Sequence, residues 1–263
     1  MYFFKKIFPL CLVLLLFACS KKPHTDVVVG TISGPETELA LVAQQVAKKK
    51  FNLAVKIVEF SDYNLPNEAL ADGTLDANIY QHLPFLTESI KARGYKLAVI
   101  GKTFIYPMGI FSAKYKNIKD ILEQAVVSIP NDPSNQTRAL TLLAKAGLIT
   151  LPKKFTTVGL KDIIENKHHL VIKELDAAQL PRMLADVDLA VINTTFAIPA
   201  GLNPVKDALF LETKDSPYAN LIVVRASELK NPKLLLFVEA MHSPEVIAKS
   251  RELFGDNALP AWN

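Results

Sequence analysis

Short apolar runs alternate with helix-period segments along almost the whole chain. Asp26-Val27-Val28-Val29-Gly30-Thr31-Ile32 reads as a buried strand. Ser33-Gly34-Pro35 turns it into a helix over 36–50, where Leu39, Val42, Ala43 and Val46 recur at helical spacing. A strand is expected over 53–60, a helix near 66–71, a strand over 75–80, a helix near 84–93 and a strand over 96–101. Such βαβ alternation predicts an α/β protein whose sheets are mostly parallel and flanked by helices.

The pattern repeats once. The run 55–60 leads through Asn64-Leu65-Pro66 to Leu70-Ala71-Asp72 and a strand; 170–175 leads through Gln179-Leu180-Pro181 to Leu184-Ala185-Asp186 and another. Two lobes sharing a local plan account for this, as does convergence on one common supersecondary unit. The matched second strands end at Tyr80-Gln81-His82 and Ile192-Asn193-Thr194. Ligands of open α/β sheets gather at such carboxyl ends, so two lobes put Gln81/His82 and Asn193/Thr194 on facing walls of a cleft. Extended segments at 103–112 and 219–225 serve as crossovers. Residues 26–110 with 215–263 then form the first lobe, 111–214 the second, and helices near 232–242 and 244–254 return to the first.

The first eighteen residues stand apart from this pattern. Lys5 and Lys6 precede an apolar stretch suited to a signal peptide. It ends in Leu16-Phe17-Ala18-Cys19, which resembles a bacterial lipobox, with Phe17 as a departure. Cleavage before Cys19 would leave a lipidated cysteine on a polar tether, 19–25, holding an exported protein to a membrane, facing the periplasm or the cell exterior. The other cysteine, Cys11, leaves with the signal, so the mature chain has no disulfide and no cysteine-based metal site. That cleavage removes two lysines and no acid, lowering the formal charge from +4 to +2. No basic run exceeds Lys48-Lys49-Lys50 at a helix end, which argues against a nucleic-acid partner.

Enzyme motifs are missing. There is no phosphate-binding glycine loop, no HExxH and no Gly-x-Ser-x-Gly elbow, and His168-His169 sit in a polar loop. The reading is a binding protein with no catalytic residue, no cofactor and no metal. Its notable polar residues lie at strand–helix junctions: His82, Asn193 and Asn220, each of which could instead cap a helix or shape a turn. Aromatics gather at the same junctions, namely Phe60, Tyr63, Tyr80, Phe85, Phe104, Tyr106 and Tyr218. Arg138 is placed in the first turn of a helix that follows Pro130-Asn131-Asp132-Pro133, where exposed N–H groups disfavour a cation. A carboxylate ligand joining the two would resolve the conflict. The alternative is a surface arginine bonded to Asp132 or to water.

Several longer stretches carry a resemblance. Phe60-Ser61-Asp62-Tyr63, Gln81-His82-x-Pro84-Phe85-Leu86, Pro130-Asn131-Asp132-Pro133-x-Asn135-x-x-Arg138, Ala190-Val191-Ile192-Asn193-Thr194 and Ser216-Pro217-Tyr218-x-Asn220 occur in order. Together they resemble the methionine-binding lipoproteins of the MetQ/NlpA family, substrate-binding components of bacterial ABC importers. The resemblance spans essentially the whole mature chain. It implies a two-lobed periplasmic-binding-protein fold, type II-like, that binds L-methionine and delivers it to a permease–ATPase complex. By that analogy Arg138 grips the α-carboxylate, Asn193 and Asn220 bind the amino and carboxylate groups, and Tyr63, His82, Phe85, Phe104 and Tyr106 line the side-chain pocket. Phe85 replaces a common Tyr and Ala178 a frequent Pro. The alternatives are another small apolar amino acid, D-methionine or a dipeptide on the same fold, then a surface adhesin or an exported enzyme. On this reading Arg138→Ala weakens ligand binding strongly and leaves the fold intact.

Overall fold

The computed structural model describes residues 24–213, 217–255 and 258–262. The expected signal segment, Cys19, most of the tether and Ser216 lie outside the described residues. The first sheet is built from β1 (Val27–Ile32), β2 (Val55–Phe60), β3 (Ala77–His82) and β4 (Leu97–Ile105). Between these strands run α1 (Pro35–Phe51), α2 (Pro66–Ala71) and α3 (Leu83–Arg93). The second sheet holds β5 (Gly109–Phe111), β6 (Val126–Pro130), β7 (Val171–Leu175), β8 (Leu189–Ile192) and β9 (Phe210–Leu211). Its helices are α4 (Pro133–Lys145), α5 (Leu180–Met183), α6 (Thr194–Ala197) and α7 (Pro204–Asp207). The chain then re-enters the first sheet as β10 (Ala219–Arg225), adds α8 (Pro232–Met241) and α9 (Pro244–Phe254), and ends in the edge strand β11 (Leu259–Pro260).

The two sheets share one plan. The first has the order β11-β4-β10-β3-β1-β2 and the second β7-β6-β8-β5-β9. In each, three parallel strands are followed by one antiparallel strand, β10 or β5, and then by a strand running the original way. The sequence echo falls on β2–α2–β3 and β7–α5–β8, which occupy equivalent places. Helix starts are marked the same way throughout: eight of the nine α-helices among the described residues carry Pro in their first two positions. Proline presets φ there and lacks an N–H that would have no intrahelical partner.

Three expectations shift. Residues 219–225 do not form a crossover: Asn220 to Val224 are buried as β10, hydrogen-bonded between β3 and β4. An apolar run of that length is satisfied in a sheet interior, where both faces are covered. The chain passes between sheets at 106–108 and again between the end of β9 and the start of β10. Gly109 and Ile110 already pair with the second sheet, so the expected boundary at 110/111 falls inside β5. Likewise β3 runs two residues past the expected end, because pairing with β10 reaches Asn220 opposite His82.

Each sheet has its own core. Val29, Phe104, Phe237 and Val246 pack together in the first lobe, and Ile129, Leu140, Leu143 and Val191 in the second. A third cluster joins them, with Ile32 and Tyr80 from one side meeting Phe111, Ile192 and Phe196 from the other. The lobes therefore touch along the carboxyl ends of β1 and β3. Gly34, at φ +132°, marks the closeness: a Cβ there would lie 2.9 Å from Pro199 Cγ.

Leu140 is fully buried in the second core on α4. We expect Leu140→Ala to cost about 2–5 kcal/mol in urea unfolding followed by circular dichroism. A loss under about 1 kcal/mol would show that this position is not core.

Candidate ligand-binding site

A small cavity of about 20 Å³ lies where the lobes meet. The first lobe contributes Tyr63, Tyr80, Gln81, His82, Phe85 and Asn220; the second contributes Asn135, Arg138, Asn193, Thr194 and Thr195; Tyr106 comes from the crossing segment.

The polar wall is a connected chain of hydrogen bonds. His82 ends β3 and caps α3, its Nδ1 accepting from Phe85 N at 3.3 Å. A neutral imidazole that accepts at Nδ1 carries its proton on Nε2, which lies 3.2 Å from Asn135 Oδ1 and donates to it. Burial and the charge of Arg138 bring the His82 pKa down to about 3, so the ring is neutral near pH 7. Asn135 Oδ1 also accepts from Asn193 Nδ2 at 2.9 Å. One amide oxygen thus ties both lobes to the cavity wall. Asn193 occupies the N-cap position of α6 but its side chain makes no capping bond, leaving it for the site. Its Oδ1 is buried with no hydrogen-bond partner among the described residues, and so is Tyr80 Oη. Both residues line the cavity.

Arg138 is buried, at 4% exposure, and neither bonds Asp132 nor reaches bulk water. Asp132 instead caps α4, accepting from Asn135 N and Ser134 Oγ at 2.9 Å. Because that cap and Pro133 start the helix early, Arg138 is its sixth residue, in the second turn, where the terminal field has faded. Its negative partner is internal: Nε lies 3.2 and 3.1 Å from the Glu212 carboxylate oxygens, and Nη2 also pairs with Oε2. Nη2 further donates to Tyr106 O at 2.8 Å. Nη1 makes no hydrogen bond among the described residues. The guanidinium Cζ sits 4.4 Å from the Tyr218 ring centroid, a cation–π contact.

The apolar end is aromatic. Tyr63, Tyr80 and Phe85 pack edge-on or tilted, with centroids 5.7–5.9 Å apart. Tyr63 also reaches Phe196 of the other lobe at 4.8 Å. Among the residues expected to bind ligand, Tyr63, His82, Phe85, Tyr106, Arg138, Asn193 and Asn220 come together here. Phe104 does not: it is fully buried in the first-lobe core, 4.9 Å from the Trp262 ring. Tyr106, two residues on, belongs to the same core cluster and also lines the cavity.

Sequence reasoning missed Tyr80, Asn135 and Thr195 as wall residues, and Glu36 and Glu212 as buried acids beside the wall. Asn135 stood inside a quoted motif and Tyr80 at the matched strand end, so a signal existed for both. Neither acid had one. Glu36 opens α1 and accepts from Thr195 Oγ1 at 2.5 Å, across the lobes, and from Asn220 Nδ2 at 3.5 Å. Burial pushes its pKa up to about 7.

With this geometry in place, the comparisons are specific. The family model described as NlpA lipoprotein matches residues 27–262. The chain belongs to the NlpA lipoprotein family. A curated family relative, the D-methionine-binding lipoprotein MetQ of Salmonella typhi, is 46% identical over 254 residues, covering 95% of this chain and 94% of that protein. A periplasmic substrate-binding protein of an ABC transporter from Coxiella burnetii matches with TM-score 0.87 and 53% identity, covering 90% of this chain and 100% of that one. A nutrient-binding protein from Burkholderia cenocepacia, solved bound to methionine, matches with TM-score 0.88 and 47% identity over the same shares. The two-lobed periplasmic-binding-protein fold is thereby shown, and NlpA-family chains of this kind are substrate-binding proteins, not enzymes.

A carboxyl kept protonated by folding adds stability that is complete below the ordinary carboxyl range and is lost as pH rises through its raised value. For Glu36 that window runs from about pH 4.5 to about 7. His82, lowered to about 3, acts in the opposite sense, because the unfolded ring gains a proton below about 6.5 that the buried ring refuses. Comparing wild type with Glu36→Gln cancels the histidine. We expect the wild-type Tm to fall relative to the variant between pH 5 and pH 8. A constant difference across that range would show that Glu36 does not titrate there.

Proposed function

We propose that this protein is the lipid-anchored receptor of an amino-acid ABC importer, binding L-methionine between its lobes and delivering it to the membrane permease. The observation that carries the reading is the composition of one small cavity. It holds an arginine whose Nη1 makes no hydrogen bond among the described residues and an asparagine whose Oδ1 has no partner among them, beside a cluster of three aromatic rings. A free α-amino acid needs a donor for its carboxylate and an acceptor for its ammonium. A thioether packs well against aromatic rings. In this reading Arg138 takes the carboxylate, Asn193 Oδ1 accepts from the ammonium, and Asn220 closes the polar end. Tyr63, Tyr80 and Phe85 enclose the side chain, with Phe85 supplying an edge without a hydroxyl.

The names and titles of the relatives support methionine as the ligand, and the name MetQ carries the D-enantiomer. The lobes, 26–108 with 219–262 against 109–211, would open and close about the two crossing segments. Lipid on Cys19 would hold the receptor at a membrane.

Isothermal titration of the lipid-free domain with L-methionine, D-methionine, leucine and glycyl-methionine decides the ligand. L-methionine is expected to bind at least tenfold more tightly than the others, and no heat with it would sink the assignment. Arg138→Ala is a poor probe, contrary to the expectation from sequence. It strands Glu212 as a buried, unpaired charge and is expected to cost about 3–5 kcal/mol of stability. Arg138→Lys retains the charge and loses the planar fork. We expect it to weaken L-methionine binding by more than about tenfold with a smaller change in Tm; unchanged affinity would remove Arg138 from the carboxylate site.

A further inference from the structure

Glu212 holds Arg138 from a place that ties the cavity to both crossing segments. It lies directly after β9, where the chain starts back towards the first lobe, and its side chain is 7% exposed against 5% for the arginine. Its Oε2 accepts from Met108 N at 3.1 Å, and its own backbone N donates to Met108 O at 2.9 Å. The carboxylate is therefore fixed by the outgoing segment while belonging to the returning one. Arg138 in turn donates to Tyr106 O on the outgoing segment and lies over Tyr218 on the returning one. An Arg138 turned away from Glu212 would leave that carboxylate with Met108 N as its donor and no counter-charge.

The pair also decides how much charge the cavity presents. His82 is neutral, and Asp132, whose carboxylate accepts from Asn135 and Ser134 at the start of α4, does not line the cavity. Glu36, which faces the site through Thr195 and Asn220, is largely protonated below pH 7. Among the lining residues and their ion-pair partners, the charges that remain are one cation, Arg138, and one anion, Glu212. We propose that Glu212 is a positioning and specificity-determining residue, cancelling the charge of Arg138 so that the cavity accepts net-neutral zwitterions and rejects anions of the same shape. The proposal rests on the reading that Arg138 takes the ligand carboxylate.

The physical reason is the cost of uncompensated charge in a buried site. A zwitterion brings no net charge into a cavity whose fixed charges already cancel. An anion brings one negative charge close to Glu212, with nothing left to balance it. Without Glu212, Arg138 would attract any carboxylate more strongly and would repel the ammonium of a zwitterion. Selectivity here is a repulsive element acting against the wrong charge class.

The probes are L-methionine and 2-hydroxy-4-(methylthio)butanoate, which has the same shape and carries a hydroxyl in place of the ammonium. Both are titrated by calorimetry at pH 6 into wild type, Glu212→Gln and Glu212→Asp, with thermal melts to establish folding. The wild type should prefer methionine, Glu212→Gln should shrink that preference at least tenfold, and Glu212→Asp should keep the preference while binding both more weakly. A preference unchanged within about threefold in Glu212→Gln would overturn the proposal while leaving the methionine reading standing. So would a folded Glu212→Gln and a folded Glu212→Asp that both bind neither probe, which would mark a structural part only. Failure of the wild type to bind methionine would remove the functional reading and this proposal with it.

Discussion

The Arg138–Glu212 ion pair is the constraint on which the cavity depends. Both side chains are almost completely withdrawn from water, and the cost of stripping two charges of solvent is recovered only when geometry is close and every remaining donor is met. Glu212 takes Nε and Nη2, Tyr106 O takes Nη2 again, and the Tyr218 ring covers the guanidinium face. Such a pair adds little net stability over an apolar substitute. It does impose a single orientation on the arginine, and it draws that orientation from two chain segments far apart in sequence.

Around this pair the polar wall is organised by single atoms that serve both lobes. Asn135 Oδ1 receives His82 from the first lobe and Asn193 from the second. Glu36 Oε1 receives Thr195 from the second lobe and Asn220 from the first. The His82–Asn135 and Thr195–Glu36 bonds exist only with the lobes together, so the closed arrangement and the finished cavity are one event. Gly34 permits the approach: its φ of +132° and the closeness of Pro199 leave no room for a side chain.

Much of the fold was readable from local pattern. Prolines at helix starts, the capping residues Asp132 and Ser243, and the order of strands and helices all act within a few residues of chain. The repeat of [Asn/Gln]-Leu-Pro and Leu-Ala-Asp located the equivalent β2–α2–β3 and β7–α5–β8 units. Local pattern misplaced what depends on a distant partner. β3 lengthened because β10 pairs with it, and β10 itself is a central strand because β3 and β4 meet on either side of it. Phe104 and Tyr106 illustrate the same limit at the site: two residues apart, they share one core cluster, and only tertiary packing puts Tyr106 at the cavity while Phe104 lies against Trp262.

By itself the sequence determined the two-lobed α/β plan, the ends of the strands at which ligand chemistry would gather, and the family pattern that named Arg138, Asn193 and Asn220. These follow from short-range periodicity and from side chains whose place is set by the turn they occupy. Tertiary structure alone decided that the arginine has an internal counter-ion, that His82 is neutral with its proton on Nε2, and that Glu36 is buried against the other lobe. Charge state and pairing in a buried site depend on which groups are brought within a few ångströms and how far water is excluded. Glu212 stands 74 residues from Arg138 along the chain, and nothing near either residue encodes that meeting.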